Sequence, residues 1–483
     1  MKNFFTIVLF AILLFAFSTA FGQWDIHTID LDLYGATIVD VADIDGDGDL
    51  DVVATAYKSD IVVWYENDQL NWTKHLIDPF LDNAVGVYIA DIDGDDTLDV
   101  VAAGYAADRV VWYKNDQLNW TRLTIDPFLD GAEVVDVDDI DGDGDPDVVA
   151  TGVNANAVKW YENNLPAGWN PYTIDSNLGG ALSCHIADID GDDTLDVAAT
   201  GYYGHDVVWY KNSGGTPIQW TEHPIDGNLL GAWEIRDADL DGDNKLDLVA
   251  TGRLADDVVW YKNNGGTPIT WTKDTIDANL DGACVVDIAD IDLDFDFDVF
   301  ATGFDADSVV WYENDGGTPI DWIRHTIDAN LNGAAQIFAI DINDDTDPDA
   351  VVTGQNANKV VWYENPFIII DGIELLPGIS PTGYVLSQNY PNPFNPSTAI
   401  EFSIPKSGFV TLKIYNVLGE EVATLVSDRL SAGTYSFNWE ASQHASGVYL
   451  YRLSIGSLTT KSGHYVAGEA GEYIETKKMV LMK

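Results

Sequence analysis

Basic residues are scarce in this chain. Its 483 residues hold 23 Lys+Arg against 80 Asp+Glu, a formal charge of −57. Such a polyanion repels nucleic acid and anionic membrane surfaces, so neither is an expected partner, whereas cations are. Cysteine is scarcer still: two cysteines build neither a disulfide framework nor a thiolate zinc site. Helical periodicity is missing from Trp24 to Asn365, and past the N-terminal segment no stretch is apolar enough to span a bilayer. What the chain does have is 46% hydrophobic residues, with 16 Trp, 22 Tyr and 18 Phe, which can build a large core in spite of the charge. The length allows two or three domains.

Lys2 and the apolar run from Phe4 to Phe17 form a secretory signal pattern over residues 1–22. Small residues place cleavage after Ala20 or, preferred, after Gly22. The mature protein is then expected to carry no membrane span.

From Trp24 to Asn365 the sequence repeats seven times. The acidic run Asp43-Ile-Asp45-Gly-Asp47-Gly-Asp49-Leu-Asp51 returns with its first acid at Asp91, Asp139, Asp188, Asp239, Asp290 and Asp341. A Trp-Tyr pair follows each first acid at a fixed distance, starting with Trp64-Tyr65, and a lone Trp precedes it, starting with Trp24. Length varies only between the pair and the next lone Trp, which marks an exposed loop. Each unit shows four short strand patterns, in the first Thr37 to Ala42, Val52 to Thr55, Ile61 to Glu66 and Trp72 to Ile77. Four strands at this period predict a β-propeller blade, since solenoid coils repeat at about half the period or less. The phase predicts how the ring closes. No lone-Trp strand follows Trp362-Tyr363, and one stands unpaired at Trp24 to Asp30, so the N-terminal strand should complete the seventh blade.

The spacing Asp-x-Asp-x-Asp-x-x-x-Asp puts oxygens at positions 1, 3, 5 and 9 of a tight turn, and the position-7 carbonyl can join them. Oxygen-only, multiply anionic coordination suits Ca²⁺ better than Mg²⁺ or a transition metal. An EF-hand is excluded, because position 12 holds no Glu and no helices flank the loop. Without a cation, four carboxylates in nine residues repel one another.

These loops resemble the FG-GAP or VCBS repeat of bacterial extracellular proteins, which is related in fold to the integrin α-chain propeller. The resemblance implies a seven-bladed propeller with up to seven Ca²⁺ ions, each in the loop between the first and second strands of a blade. The implied ligands are Asp43, Asp45, Asp47 and Asp51 in the first copy and Asp91, Asp93, Asp95 and Asp99 in the second. They are Asp139, Asp141, Asp143 and Asp147 in the third, and Asp188, Asp190, Asp192 and Asp196 in the fourth. Asp239, Asp241, Asp243 and Asp247 follow in the fifth, Asp290, Asp292, Asp294 and Asp298 in the sixth, and Asp341, Asn343, Asp345 and Asp349 in the seventh. Leu293 and Phe295 stand where glycine is usual in such turns, which should weaken the sixth site. The neutral Asn343 should modestly weaken the seventh.

Ligand recognition should reside where the copies diverge. Three residues before the first acid stand Asp40, Tyr88, Asp136, His185, Arg236, Asp287 and Phe338. The hairpin between second and third strands carries Tyr57, Tyr105, Val153, Tyr202, Arg253, Phe304 and Gln355 at one aligned position. Tyr57, Tyr105, Tyr202, Arg253, Phe304, His185 and Arg236 are the candidate ligand residues at the channel mouth, opposite the acidic loops. Aromatic rings with scattered polar groups suit carbohydrate or protein recognition. His27, His75, His223 and His325 share one repeat position and are expected to be structural. No catalytic constellation can be placed, so an adhesin- or lectin-like binder is expected, with a polysaccharide hydrolase or lyase as the alternative. Cys184 and Cys284 fall in non-adjacent blades and should be free thiols.

Past the repeats the charge vanishes: Tyr384 to Lys483 holds 8 acids and 8 bases. Short alternating strands, such as Ala399 to Ile404 and Val410 to Asn416, predict a small Ig-like β-sandwich over 384–483, after a linker at 366–383. The motifs Tyr390-Pro-Asn-Pro-Phe-Asn-Pro396, Val410-Thr-Leu-Lys-Ile-Tyr-Asn-Val-Leu-Gly419, Ala445-Ser-Gly-Val-Tyr-Leu-Tyr-Arg452 and Lys477-Lys-Met-Val-Leu-Met-Lys483 resemble the type A sorting domain of type IX secretion. That implies a secretion-machinery partner and a secreted or outer-surface location. The expected whole is all-β: a seven-bladed β-propeller at 23–365, then the sandwich.

Overall fold

The computed structural model describes residues 24–366 except 294, 295 and 346. Beyond these it describes 373–375, 381, 383–405, 408–419, 421–430, 433–442, 444–456, 458–461, 464–467 and 473–483. The expected signal segment, 1–22, and most of the expected linker lie outside the described residues.

The chain opens with β1 (Asp25–Asp30), and the first blade follows as β2 (Ala36–Ala42), β3 (Asp51–Ala56), β4 (Ile61–Asp68) and β5 (Asn71–Asp78). These four strands form one antiparallel sheet in chain order. Five more sheets repeat that order. The seventh joins Ala334–Ile340, Asp349–Gly354 and Lys359–Glu364 to β1 as its fourth strand, with His27 opposite Trp362. The phase of the repeat therefore identified the closing strand correctly. Trp24, buried at its start, packs edge-on against Phe300 of blade 6.

Each strand's composition follows from its place in the blade. β3 is buried along its whole length, because neighbouring blades cover both faces of the second strand, and it reads as an apolar Val-Val-Ala run. The outermost strand, β5, is largely exposed and polar. Among the aromatic pairs, Trp112 of blade 2 meets Trp169 of blade 3 edge-on, and Trp160 meets Trp220 in the same way. Seven hydrogen bonds sew the ring at one radius. The Tyr of each Trp-Tyr pair donates to the Asp that ends the preceding blade's outer strand: Tyr65 to Asp30, Tyr113 to Asp78, Tyr161 to Asp126, and so on to Tyr363 and Asp328. Nearer the axis Thr353 Oγ1 donates to the Thr37 carbonyl at 2.6 Å, joining blade 7 to blade 1.

The C-terminal region forms two four-stranded sheets over a core that includes Phe402, Leu412, Tyr435 and Leu453. Within the stretch expected as linker, Ile373–Leu375 pairs with Gly433–Glu440 as an edge strand of this sandwich. The Pro-Asn-Pro-Phe turn docks on the final strand, Tyr473–Leu481. Phe394 N–H donates to the Val480 carbonyl, and its own carbonyl accepts from Met482. Both cysteines are buried and free. Among the described residues no helix is long and apolar enough to cross a membrane.

Candidate cation sites and axial cavities

The acidic run turns tightly because Gly46 and Gly48 adopt left-handed φ values of 77° and 102°. The turn aims backbone N–H groups inward. Asp43 Oδ1 accepts from Gly46 and Asp47, its Oδ2 accepts from Gly48, and Asp45 Oδ1 accepts from Asp47. At position 9, Asp51 is fully buried and accepts from Ile44 and Asn67. In the first loop the position-7 side chain faces away, Asp49 accepting from Gln69 in the next hairpin, whereas Thr97, Thr194 and Lys245 at that position donate to the position-5 acid of their own loops.

One oxygen each from Asp43, Asp45 and Asp51 lie within 4.8 Å of one another. The same holds for Asp91, Asp93 and Asp99, for Asp139, Asp141 and Asp143, for Asp188, Asp190 and Asp196, and for Asp239, Asp241 and Asp243. Two further groups bring the acidic clusters able to hold a divalent cation to seven. The donor set fits a hard cation on two counts. Asp196 is buried and its Oδ2 has no hydrogen-bond partner, and the position-3 acids Asp93, Asp190 and Asp241 each have a buried Oδ1 without one. Burial, reinforced by neighbouring carboxylates, also pushes the position-9 acids up, Asp51, Asp147 and Asp196 to about 7 and Asp349 to about 8.

The two departing loops behave differently from each other. In the sixth, Leu293 adopts a φ of 62°, so it does take the left-handed turn that its side chain was expected to resist. Asp294 and Phe295 lie outside the described residues. In the seventh, the Asn343 amide donates to Asp345 at 3.1 Å, filling with a neutral group a place held elsewhere by a carboxylate.

Two cavities lie on the axis, lined by the innermost strands. The hairpin-side cavity, about 380 Å³, contains Tyr57, Tyr105, Arg253 and Phe304 of the expected ligand residues. Arg253 is clamped between rings, its guanidinium carbon 4.5 Å from the Trp233 centroid and 4.3 Å from that of Phe304. Tyr202 does not line this cavity but packs edge-on behind Trp233. The second cavity, about 360 Å³ and nearer the acidic loops, gathers all seven residues that precede the first acid by three: Asp40, Tyr88, Asp136, His185, Arg236, Asp287 and Phe338. The structure thus separates His185 and Arg236 from the hairpin group. Ile38, Val134, Glu234 and Gln336 line both cavities.

Electrostatics along the axis is mixed. Burial alone would lower His185, yet hydrogen bonds to Asp136 and Asp237 outweigh it and hold the ring cationic, at about 10. Arg236 pairs with Glu234, which also accepts from Ser183 Oγ at 3.1 Å. In the upper cavity, burial pushes Glu133 up to about 7. Glu133 and Trp233 escaped the sequence reading. They share one repeat position with Thr37, Val85, Leu182, Cys284 and Ala335, six residues before the first acid, and all seven line the upper cavity. Divergence there, tested as it was three residues before the acid, would have found them.

The FG-GAP-like repeat family matches residues 43–102 and 139–199, and the secretion system C-terminal sorting domain family matches residues 388–465. This chain carries FG-GAP repeats and a type IX secretion sorting domain. The sorting domain directs export to the cell surface or extracellular space. No curated protein matches the sequence. Among solved structures, BBS1N in complex with ARL6DN is 12% identical, with 71% of this chain and 97% of that chain covered at a TM-score of 0.50. YCF48 from Cyanidioschyzon merolae is 16% identical, with 71% and 99% covered at a TM-score of 0.47. The first likeness is one of fold alone.

Proposed function

We propose that the FG-GAP propeller is a calcium-stabilised, adhesin- or lectin-like binder that receives an extracellular carbohydrate or protein at its hairpin-side cavity. In this reading the signal segment is removed, residues 23–365 form the binding unit, and residues 384–483 serve as its export address. The acids at positions 1, 3, 5 and 9 of each loop, with Asn343 in the seventh, hold the ions. A bound Ca²⁺ supplies the positive charge that lets buried carboxylates such as Asp196 stay ionised, and it stabilises the fold through mass action.

The observation that carries the binding role is the upper cavity itself. Tyr57, Tyr105, Trp233 and Phe304 offer ring faces, while Arg253, Glu133, Gln336 and Gln355 offer hydrogen-bonding groups around a space that suits a small ligand or the end of a chain. His185 and Arg236 are satisfied by acids in the layer below, which suits fixing the floor of the site. A glycan and extracellular-protein array, run beside an assay for newly released reducing ends, tests the reading. Retention without product is expected, and Trp233→Ala with Arg253→Ala should weaken it at least about tenfold. Release of product would make the chain a polysaccharide hydrolase or lyase instead.

A further inference from the structure

One position beside the acidic loops divides the blades into two kinds. The residue after the Trp-Tyr pair is Glu66, Glu162, Glu313 and Glu364 in blades 1, 3, 6 and 7, but Lys114, Lys211 and Lys262 in blades 2, 4 and 5. Each glutamate is tied to the outer strand. Glu66, Glu313 and Glu364 bond His75, His325 and His27, each at 2.7 Å, and Glu162 accepts from Tyr172 at 3.0 Å and Asn170 at 2.9 Å. Opposite the repeat's Trp, the glutamate blades always place a ring able to hydrogen-bond. The lysine blades place Leu123, His223 and Asp274 there.

The lysines reach into the acidic loops. Lys114 Nζ donates to Asp95 at 2.8 Å and also to Asp93, and Lys211 Nζ donates to Asp192 at 2.6 Å and also to Asp190. Lys262 pairs with Asp241 and lies 3.7 Å from Asp243, which takes a second ammonium from Lys245 at 2.8 Å. The acids engaged are those at positions 3 and 5 in all three blades. Ligand charge sets the affinity of oxygen sites for Ca²⁺, and this exchange replaces a nearby negative charge by a positive one. Neutralisation is nevertheless partial: in loop four the fully buried Asp196 keeps Oδ2 without a hydrogen-bond partner.

We propose that Lys114, Lys211 and Lys262 are tethered cations that compete with Ca²⁺ for the position-3 and position-5 carboxylates, so that blades 2, 4 and 5 form a weaker class of site than blades 1 and 3. The proposal rests on the calcium reading of the loops. Its consequence is graded: when calcium is scarce, three loops remain partly self-neutralised while the glutamate loops carry their full charge.

The test is isothermal titration of metal-stripped mature full-length chain with calcium chloride, for the wild type and for the triple variant Lys114→Gln, Lys211→Gln, Lys262→Gln. Two classes of site are expected in the wild type. In the variant, three ions should move from the weak class to the tight one, with affinity rising at least about tenfold. Affinities unchanged within about twofold would overturn the proposal while leaving the calcium reading intact. Absence of calcium binding in both proteins would instead overturn the calcium reading and this proposal with it. Glu66→Lys in blade 1 is the reciprocal check and does not depend on the triple variant folding. It should move one ion from the tight class to the weak, and an unchanged tight count would contradict the competition.

Discussion

The rim and the axis of the propeller use one repeat to opposite ends. At the end of each acidic loop, Asp51 and its six counterparts are all buried, in the same place in every blade. Eleven residues upstream of Asp51 stands Asp40, and around the axis that position becomes in turn an acid, a phenol, an imidazolium, a guanidinium and a phenyl ring. Repetition on the rim produces seven acidic loops of one spacing and the inter-blade bonds. Variation at the axis costs the ring little, because the inner strands keep their backbone pairing whatever side chain they carry. Such a scaffold can change what it recognises without changing how it closes.

Deleting Trp24 to Asp30 should break the rim most severely, since blade 7 loses its fourth strand and exposes an edge. The expected outcome is aggregation or a melting midpoint lower by at least about 10 °C. A truncated chain that melts like the parent would contradict the closure seen in the structure.

A smaller effect is expected at the axis. His185 has its pKa raised in the folded state, so its stabilisation is complete below the unfolded value of about 6.5 and is lost as pH rises through about 10. His185→Gln should therefore cost about 2 kcal/mol at pH 6 and progressively less toward pH 10. Melting curves at three pH values measure this, and a constant gap between wild type and variant would show that the charge on His185 is immaterial.

The smallest effect returns to the rim. Leu293 holds a left-handed φ that glycine holds without strain in five other loops, so Leu293→Gly should stabilise blade 6 by about 1 kcal/mol. Chemical denaturation reads the change. A loss of stability would mean that the leucine side chain makes contacts worth more than the strain.

The same contrast governs what was legible in the sequence. Fixed spacing revealed the blades, the closing strand and the acidic loops, because backbone pairing and turn geometry are local and seven copies restate them. Partners are another matter. His75 was visible as a repeated residue, but its stacking on Trp64 and its bond to Glu66 join two strands through a register that spacing alone does not give. The Asp that ends each outer strand recurs at a fixed place in every copy, yet its role emerges only when Tyr113 reaches Asp78 across a blade boundary. Trp233 and Glu133 were overlooked because in the other blades their position holds ordinary Thr, Val, Leu, Cys or Ala, and only closure of the ring brings the exceptions to one cavity.

That the acidic loops exist to hold calcium is the claim on which the rim depends, and thermal melting of the mature chain in millimolar calcium and in excess chelator tests it most directly. Each occupied loop contributes about 2.7 kcal/mol when calcium is a hundredfold above Kd, so several loops together should raise the midpoint by more than about 10 °C, reversibly on adding calcium back. The same midpoint with and without chelator would contradict the account and leave the seven loops as solvated acidic turns.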